Sequence, residues 1–127
     1  MALKIRLKQT TPGIVTLSPI GTIDADTCSI LDKEIQRILA EPTKVLVLDM
    51  AGVDFIASAG IGAIAKAKAS LKRRGGDLAM INLQPQVKKV FEIIRLLPAF
   101  NVFASVEELD EYLGKAQRRI ADGEAEF

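Results

Sequence analysis

Residues 45–62 read VLVLDMAGVDFIASAGIG, and this stretch decides the fold. Its first four residues, 45–48, are all apolar, which predicts a strand that is buried on both faces of a sheet. Gly52 and Asp54 then predict a turn, because both residue types favour reversals of the chain. After Ser58 the sequence becomes rich in Ala and Lys, which predicts a helix that begins at or next to Ser58.

Ser58 is the most informative residue of this stretch because of its place at the start of a helix. A hydroxyl among small neighbours is accessible to a modifying enzyme, and the N–H groups of the first helical turn attract anions. These properties fit a serine that is phosphorylated or that a partner protein contacts. A serine at this place is also a common helix N-cap. The local sequence leaves both interpretations open.

The residues before this stretch predict two strands and a helix. Residues 3–10 alternate between apolar and mostly basic side chains, which is the period of a half-exposed strand. A turn signal at residues 11–13 and a second apolar segment at 14–20 complete an antiparallel hairpin. One face of the next segment is apolar at helical spacing: Cys28, Leu31, Ile35 and Ile38. Three residues are candidates to cap this helix: Asp24, Asp26 and Thr27. Because a helix separates the second strand from the buried strand 45–49, we expect those strands to be parallel.

The residues after the stretch predict the end of a second helix, a strand and a third helix. Three cations at 72–74, followed by two glycines at 75–76, are typical of a helix C-terminus. Residues 78–83 predict a fourth strand. A third helix is expected between the prolines at 85 and 98. It carries one apolar face: Val87, Val90, Phe91, Ile94 and Leu97.

The last part of the chain predicts a short strand at 100–103 and a fourth helix. Ser105 and Glu108 have the spacing of a capping box at the start of that helix. Five of its residues are expected to point inward: Val106, Leu109, Tyr112, Leu113 and Ala116. The predicted fold class is α/β, a single mixed, mostly parallel sheet of about five strands flanked by about four helices. We expect this domain to span residues 1–116, with a polar tail at 117–127.

Composition excludes several classes of function. A chain of 127 residues is one domain by length, and its net charge of +1 disfavours bulk binding to nucleic acid. The absence of histidine excludes catalytic triads and metal sites that depend on it. The single cysteine, Cys28, excludes an internal disulfide, and no apolar run is long enough for a membrane span. We therefore expect a cytoplasmic protein without cofactor or bound metal and without contact to a membrane.

Four short motifs resemble a known family. They are Gly-Thr-Ile-Asp at 21–24, Ile-Ala-Ser-Ala-Gly-Ile-Gly at 56–62, the glycine pair at 75–76, and Pro-x-Val-x-x-Val-Phe at 85–91. Together with the order of strands and helices they resemble the STAS domain and, more closely, the bacterial anti-sigma factor antagonists. The similarity covers about residues 3–115, nearly the whole chain.

The resemblance implies a protein that is not an enzyme and that works by partner switching. Members of the family bind an anti-sigma factor that is also a serine kinase of the GHKL type, and binding releases a sigma factor. Phosphorylation of the member's own serine breaks the complex, and a phosphoserine phosphatase resets it. Ser58 stands at the position of that phosphoserine. The implied partner-binding residues are Ile23, Asp24, Ile56, Ala57, Ser58, Ala59, Gly60 and Ile61. The protein is expected to be a monomer or a weak dimer.

One departure from the family pattern lies directly at the serine. The family string is commonly Asp-Ser-Ser-Gly or Asp-Thr-Ser-Gly, whereas residues 57–60 read Ala-Ser-Ala-Gly. The phosphorylatable serine is retained, but the acidic residue before it and the second hydroxyl are missing. A kinase would therefore have to recognise Ser58 without that carboxylate.

Two other functions remain open at this point. The first is a scaffold STAS module of a larger signalling complex, in which Ser58 only caps a helix. The second is an aspartate phosphoacceptor or a Mg²⁺-dependent domain, because Asp24, Asp49 and Asp54 all fall near the ends of predicted strands. Carboxylates at the carboxyl edge of a parallel sheet are typical ligands of Mg²⁺.

Overall fold

The computed structural model describes residues 3–93, 101–103 and 106–121. These residues form six strands and four helices: β1 (Lys4–Thr11), β2 (Ile14–Ile23), α1 (Cys28–Leu39), β3 (Val45–Asp49), β4 (Gly52–Ile56), α2 (Ser58–Arg73), β5 (Asp77–Ile81), α3 (Pro85–Ile93), β6 (Asn101–Phe103) and α4 (Val106–Ala121). The sequence predicts each of these elements except β4, and the α/β fold class is confirmed. Within the described part of the chain, no helix has the length and apolarity of a membrane span.

The strands form one mixed sheet. Its order is β1-β2-β3-β5-β6, and β4 pairs with β2 outside this path. β1 and β2 are antiparallel, as expected for a hairpin, whereas the other pairs are parallel. The predicted crossover through α1 is thus confirmed, since β2 and β3 run in the same direction.

β4 corrects the sequence prediction, because Gly52 and Asp54 belong to a strand and not to a turn. β2 is ten residues long, so Ile14–Leu17 pair with β3 while Ile20–Ile23 remain free to pair with β4. Gly52 permits this pairing, since a Cβ there would lie 3.0 Å from Cγ1 of Ile20. The chain turns instead at Met50, whose carbonyl accepts the N–H of Val53. The register between β2 and β4 is irregular, so apolar and polar side chains do not alternate along β4 as they do in a regular strand. A prediction based on alternation therefore misses β4.

Helices cover both faces of the sheet. The main core joins one face of the sheet to three helices, through Leu31 and Ile35 of α1, Ile64 and Leu71 of α2, and Val87 and Phe91 of α3. On the other face, Leu109, Tyr112 and Leu113 of α4 pack against Ile14, Val45, Val47 and Ile81. All four strand residues are nearly inaccessible to solvent. This two-sided burial explains why β3 and β5 are apolar almost throughout.

Some predictions for α3 and α4 lie outside the described residues. These are the inward positions Ile94 and Leu97, the helix stop at Pro98 and the capping serine at 105; the side chains of Val106 and Ala116 also lie outside the description. Val87 and Phe91 are buried as expected, and Leu109, Tyr112 and Leu113 are partly buried. α4 continues to Ala121, past the predicted end of the domain at residue 116.

β4 pairs only with β2, so its other side has no neighbouring strand among the described residues. Two glutamine side chains reach this segment from the residues after β5. Nε2 of Gln84 donates to the carbonyl of Ala51 at 2.7 Å, and Nε2 of Gln86 donates to the carbonyl of Asp54 at 3.0 Å. These side chains satisfy main-chain acceptors that another strand would otherwise take.

The loop between β2 and α1 is held by Asp24 and Thr27. Oδ1 of Asp24 accepts the N–H groups of Asp26 at 2.9 Å and of Thr27 at 3.0 Å. Thr27 occupies the N-cap position, but its hydroxyl does not cap α1; it donates to the carbonyl of Thr22 at 2.7 Å. Of the three predicted caps, Asp24 therefore orders the loop and Thr27 ties it back to β2.

The ends of α1 and α2 meet near the start of β5. The guanidinium of Arg74 donates to the carbonyls of Leu39 at 2.7 Å, Glu41 at 2.9 Å and Thr43 at 3.3 Å. Gly76 passes directly against the backbone of Lys44, so that a Cβ at Gly76 would overlap the carbonyl oxygen of Lys44. The second glycine after α2 is therefore required by packing, in addition to its role in ending the helix.

We expect the Asp24 carboxylate to make stability depend on pH. The N–H of Thr27, and after it the N–H of Asp26, hold the pKa of Asp24 below its ordinary value. A folded-state pKa below the unfolded one means that the stabilisation is present above the ordinary pKa of about 4 and is lost as the pH falls through the folded pKa. Asp24→Asn should therefore lower Tm at pH 7, and the difference from wild type should shrink below about pH 4. Thermal unfolding of both proteins between neutral and acidic pH measures this. Asp26→Asn, two residues away, is the matched control; a Tm difference for Asp24→Asn that persists at low pH contradicts the prediction.

We expect Gly76→Ala to destabilise the fold, because the new Cβ meets backbone that cannot rotate away. The expected loss in the free energy of unfolding is about 2–3 kcal/mol. Gly62→Ala is the matched control, since a Cβ at Gly62 would have no atom within 4 Å. This control should be neutral or gain up to about 1 kcal/mol, because alanine is the better helix former. Urea denaturation of the two variants measures both values, and equal stabilities would contradict this account of Gly76.

Candidate functional site

The candidate site lies where β2 and β4 end. Ile23 and Ile56 are register partners in the last pair of these parallel strands. One residue later, the N–H of Ala57 donates to the carbonyl of Ile23 at 2.7 Å. This bond fixes the start of α2 against the end of β2, and it brings the segments that carry Asp24 and Ser58 to the same edge of the sheet.

Ser58 is the first residue of α2, and its side chain is exposed. The N-cap position belongs to Ala57, whose backbone is extended at φ −89° and ψ 166° and whose side chain offers no cap. The interpretation of Ser58 as a helix cap is therefore wrong. The N–H groups of Gly60 and Ile61 bond to the carbonyl of Ala57, whereas those of Ser58 and Ala59 have no acceptor among the described residues. This helix end thus presents both a hydroxyl and free donors.

The predicted partner-binding residues separate into an exposed group and a buried group. Ser58 and Ala59 are exposed, and Asp24 and Ala57 are partly exposed. The buried residues are Ile23, Ile56, Gly60 and Ile61. The structure thus brings all eight residues together, but the four buried ones offer little side-chain surface to a partner.

Gly60 explains how α2 sits so close to the sheet. A Cβ at this position would lie 2.6 Å from Cγ2 of Ile23 and 3.0 Å from Cγ1 of Ile56. Both isoleucines are in the main core. Because Gly60 has no side chain, the helix turn that carries Ser58 packs directly against these core isoleucines. This close packing holds Ser58 in a fixed place.

Phe55 is a surface residue that the sequence analysis did not single out. It belongs to β4, pairs with Thr22 and keeps 49% of its surface exposed. Beside it, the hydroxyl of Thr22 donates to Oδ1 of Asp54 at 2.8 Å. The sequence would have indicated that Phe55 is exposed only if β4 had been predicted as a strand, because the strand pairing decides which side chains face solvent.

Cys28 is the first residue of α1, close in sequence to Asp24. Burial raises the pKa of the Cys28 thiol, and the charge of Asp32 raises it further. The thiol therefore stays protonated near neutral pH and is a poor nucleophile. Cys28 is partly exposed and is not among the buried core residues, so the apolar face of α1 that was expected to include it begins in the core with Leu31.

The three aspartates near strand ends each serve a local structural role. Asp24 orders its own loop, and Asp54 accepts the hydroxyl of Thr22. Oδ1 of Asp49 accepts the N–H of Ala51 at 3.1 Å and Nδ2 of Asn82 at 3.2 Å. In residues 3–93, 101–103 and 106–121, no three acidic or cysteine side chains gather in a group that could hold a metal ion. The Mg²⁺ hypothesis thus finds no support in the described residues.

Known proteins resemble this chain in sequence and in fold. A family model for the STAS domain matches residues 6–109. A protein of Bordetella bronchiseptica named as an anti-sigma factor antagonist, BtrV, is 30% identical over 95 residues, which are 75% of each chain. An anti-sigma factor antagonist from Mycobacterium paratuberculosis has a similar structure, with a TM-score of 0.75 at 20% identity over 84% of this chain and 90% of its own.

SpoIIAA, an anti-sigma factor antagonist, is a further structural relative. Its unphosphorylated form gives a TM-score of 0.75 at 20% identity, over 87% of this chain and 97% of its own. Its phosphorylated form, described as a Bacillus cell fate determinant, gives a TM-score of 0.67 at 19% identity, over 86% and 99%. At such identities these structures show the fold alone. The family model, however, spans most of the chain, and BtrV supports it independently. BtrV and SpoIIAA, which this chain resembles, are named as anti-sigma factor antagonists, and the chain itself belongs to the STAS domain family.

Proposed function

We propose that this protein is an anti-sigma factor antagonist that acts by partner switching. It binds an anti-sigma factor that is also a serine kinase of the GHKL type, and this binding releases a sigma factor. The kinase phosphorylates Ser58, which breaks the complex, and a phosphoserine phosphatase restores the free hydroxyl. The protein itself catalyses no reaction in this cycle, which takes place in the cytoplasm.

The observation that carries the proposal is the exposed Ser58 at the first position of α2. Because Ala57 holds the N-cap position, the Ser58 hydroxyl is not needed to cap the start of α2 and is available for modification. The family gives independent support, since SpoIIAA has been solved both without and with its phosphate.

A phosphate on Ser58 is compatible with the free protein. The N–H groups of Ser58 and Ala59 point out of the helix end without an acceptor in the described residues, and the positive end of the helix dipole lies at the same place. The dipole favours a negative charge there by roughly 0.3–1 kcal/mol. The first turn of α2 carries no acidic side chain that would repel it.

The same phosphate is unfavourable inside a complex. Phosphorylation adds nearly two negative charges to the small hydroxyl of Ser58. If a partner covers this residue, the charges lose water, and the loss costs several kcal/mol unless the partner supplies a cation. The switch therefore needs no change in the shape of the antagonist; it needs only a partner that buries Ser58.

The exposed part of the site defines the surface that we propose the partner covers. Asp24, Ser58 and Ala59 are its centre, and Gly62 extends it along α2 because its outer side is open. Phe55 is a further contact candidate, since aromatic side chains are enriched at protein interfaces. The small residues let a partner approach the helix backbone closely.

We expect Ser58→Glu to lose the partner and Ser58→Ala to keep it. Both variants serve as baits in a pull-down from the native cell extract, followed by affinity measurement with the purified partner. The glutamate should weaken binding by at least about 30-fold, because its charge is desolvated in the complex. The Tm of both variants should stay within about 3 °C of wild type, since exposed substitutions rarely change stability more.

Ser70→Glu is the matched control for added charge. It introduces the same side chain on the same helix, about 18 Å from Ser58 at 1.5 Å per residue. This control should bind like wild type. If the Ser58→Ala and Ser58→Glu baits retain the same partners, phosphorylation at this position does not control binding, and the protein is then a scaffold STAS module.

A further inference from the structure

β1 forms one edge of the sheet. It pairs with β2 on one side, and no described strand lies on its other side. In an antiparallel pair, alternate residues turn their N–H and C=O groups away from the partner strand. Residues 4–9 of β1 thus offer a row of main-chain donors and acceptors at the outer edge. Long free edges of this kind are templates for an added strand.

The two faces of β1 differ in chemistry. Lys4, Arg6 and Lys8 alternate along one face and are exposed, and none of them forms an ion pair within the described residues. On the opposite face, Ile5 packs against the main core. Leu7 follows on that same face, but 48% of its surface remains exposed. The edge therefore carries a basic row on one side and an uncovered apolar side chain on the other.

Leu7 opens onto a groove. The groove has a volume of about 610 Å³ and lies between β1, the start of β2 and the end of α1. Its apolar wall consists of Leu7, Val15, Ile38 and Pro42. This space is large enough for one or two apolar side chains of an added strand, and Leu7 would form its floor with Val15.

We propose that the β1 edge binds an extended segment of a partner protein in which acidic and apolar residues alternate. The segment adds a strand to the sheet through the outer main-chain groups of β1. Its apolar side chains enter the groove beside Leu7, and its carboxylates face Lys4, Arg6 and Lys8 on the opposite face. Alternation is required because successive side chains of a strand point to opposite faces.

Charge distinguishes this partner from a second copy of the chain. Two β1 strands paired antiparallel would place the basic rows side by side on one face, and like charges across strands are destabilising. The carboxylates of an acidic segment would instead be attracted by the same row of basic side chains. A purely electrostatic ligand such as a lipid surface would use the basic row but would leave the groove and the outer N–H groups unused.

The groove is remote from Ser58. It adjoins Val15 near the start of β2, whereas α2 begins beside Ile23 at the end of that strand. Eight residues of extended chain separate these points, roughly 26 Å. A segment on β1 could therefore remain bound while another protein binds or leaves at Ser58, and its test does not depend on the proposed switch.

The test uses the full chain and a synthetic peptide of about ten residues in which Glu alternates with Val. Amide hydrogen exchange of residues 4–9 is followed by NMR with and without the peptide. Strand addition should slow exchange about tenfold or more at alternate residues only, because only the outward N–H groups gain an acceptor. A peptide of the same composition with its Glu and Val residues in separate blocks is the control and should give no such pattern.

Two variants locate the contact. Arg6→Glu should weaken peptide binding about five- to tenfold, because it replaces an attraction between opposite charges by a repulsion. Lys33→Glu, on the exposed face of α1, is the control and should not change the affinity. Leu7→Thr keeps a strand-forming residue but removes the apolar contact, and should weaken binding about fivefold or more.

Three outcomes would overturn the proposal. The first is that amide exchange is not slowed at alternate residues of the segment 4–9 in the presence of about 1 mM peptide. The second is alternate protection that appears with rising protein concentration alone, which would identify a second copy as the occupant. The third is binding of anionic vesicles or an oligonucleotide at Lys4, Arg6 and Lys8 when the alternating peptide does not bind.

Discussion

The length of β2 is the constraint on which the rest of the structure depends. At ten residues it is long enough to pair with β1 along one side and, along the other, with β3 first and β4 afterwards. A shorter strand would leave β4 without a partner, and the chain after it would have no fixed place. The bond from Ala57 to Ile23 then extends this pairing by one residue and starts α2 at a defined point.

Much of this fold could be predicted from the sequence, because most of it follows from periodicity. The apolar spacing of α1 and the apolar runs of β3 and β5 correspond to residues that are buried in the structure, whereas the alternation of β1 predicts the strand but not the exposure of Leu7. β4 could not be predicted in this way. It is short, it begins with glycine, and an irregular register places Asp54 and Phe55 next to each other on the surface. Its pairing with β2 is a long-range interaction, which no local pattern encodes.

The site shows the same limit. Motif resemblance located Ser58 and the segment around it, but it could not say which of those side chains face solvent. Gly60, Ile23 and Ile56 are buried because α2 packs closely onto the strand ends, a fact that depends on contacts between three segments. The cap is a similar case: Ala57 and not Ser58 occupies it, and only the backbone angles decide this. The candidate surface is therefore smaller than the motif and is centred on the helix end.

The glutamines beside β4 have a consequence for the state of the protein in solution. Gln84 and Gln86 occupy main-chain acceptors of Ala51 and Asp54, so that segment does not offer these groups to another molecule. If these acceptors were open, β4 would be a further place where a strand of another molecule could pair, and units that pair head to tail at two places grow into open-ended filaments. By occupying these acceptors, the glutamines oppose the addition of a strand at β4. They thereby remove one route by which copies of the domain would join into a filament.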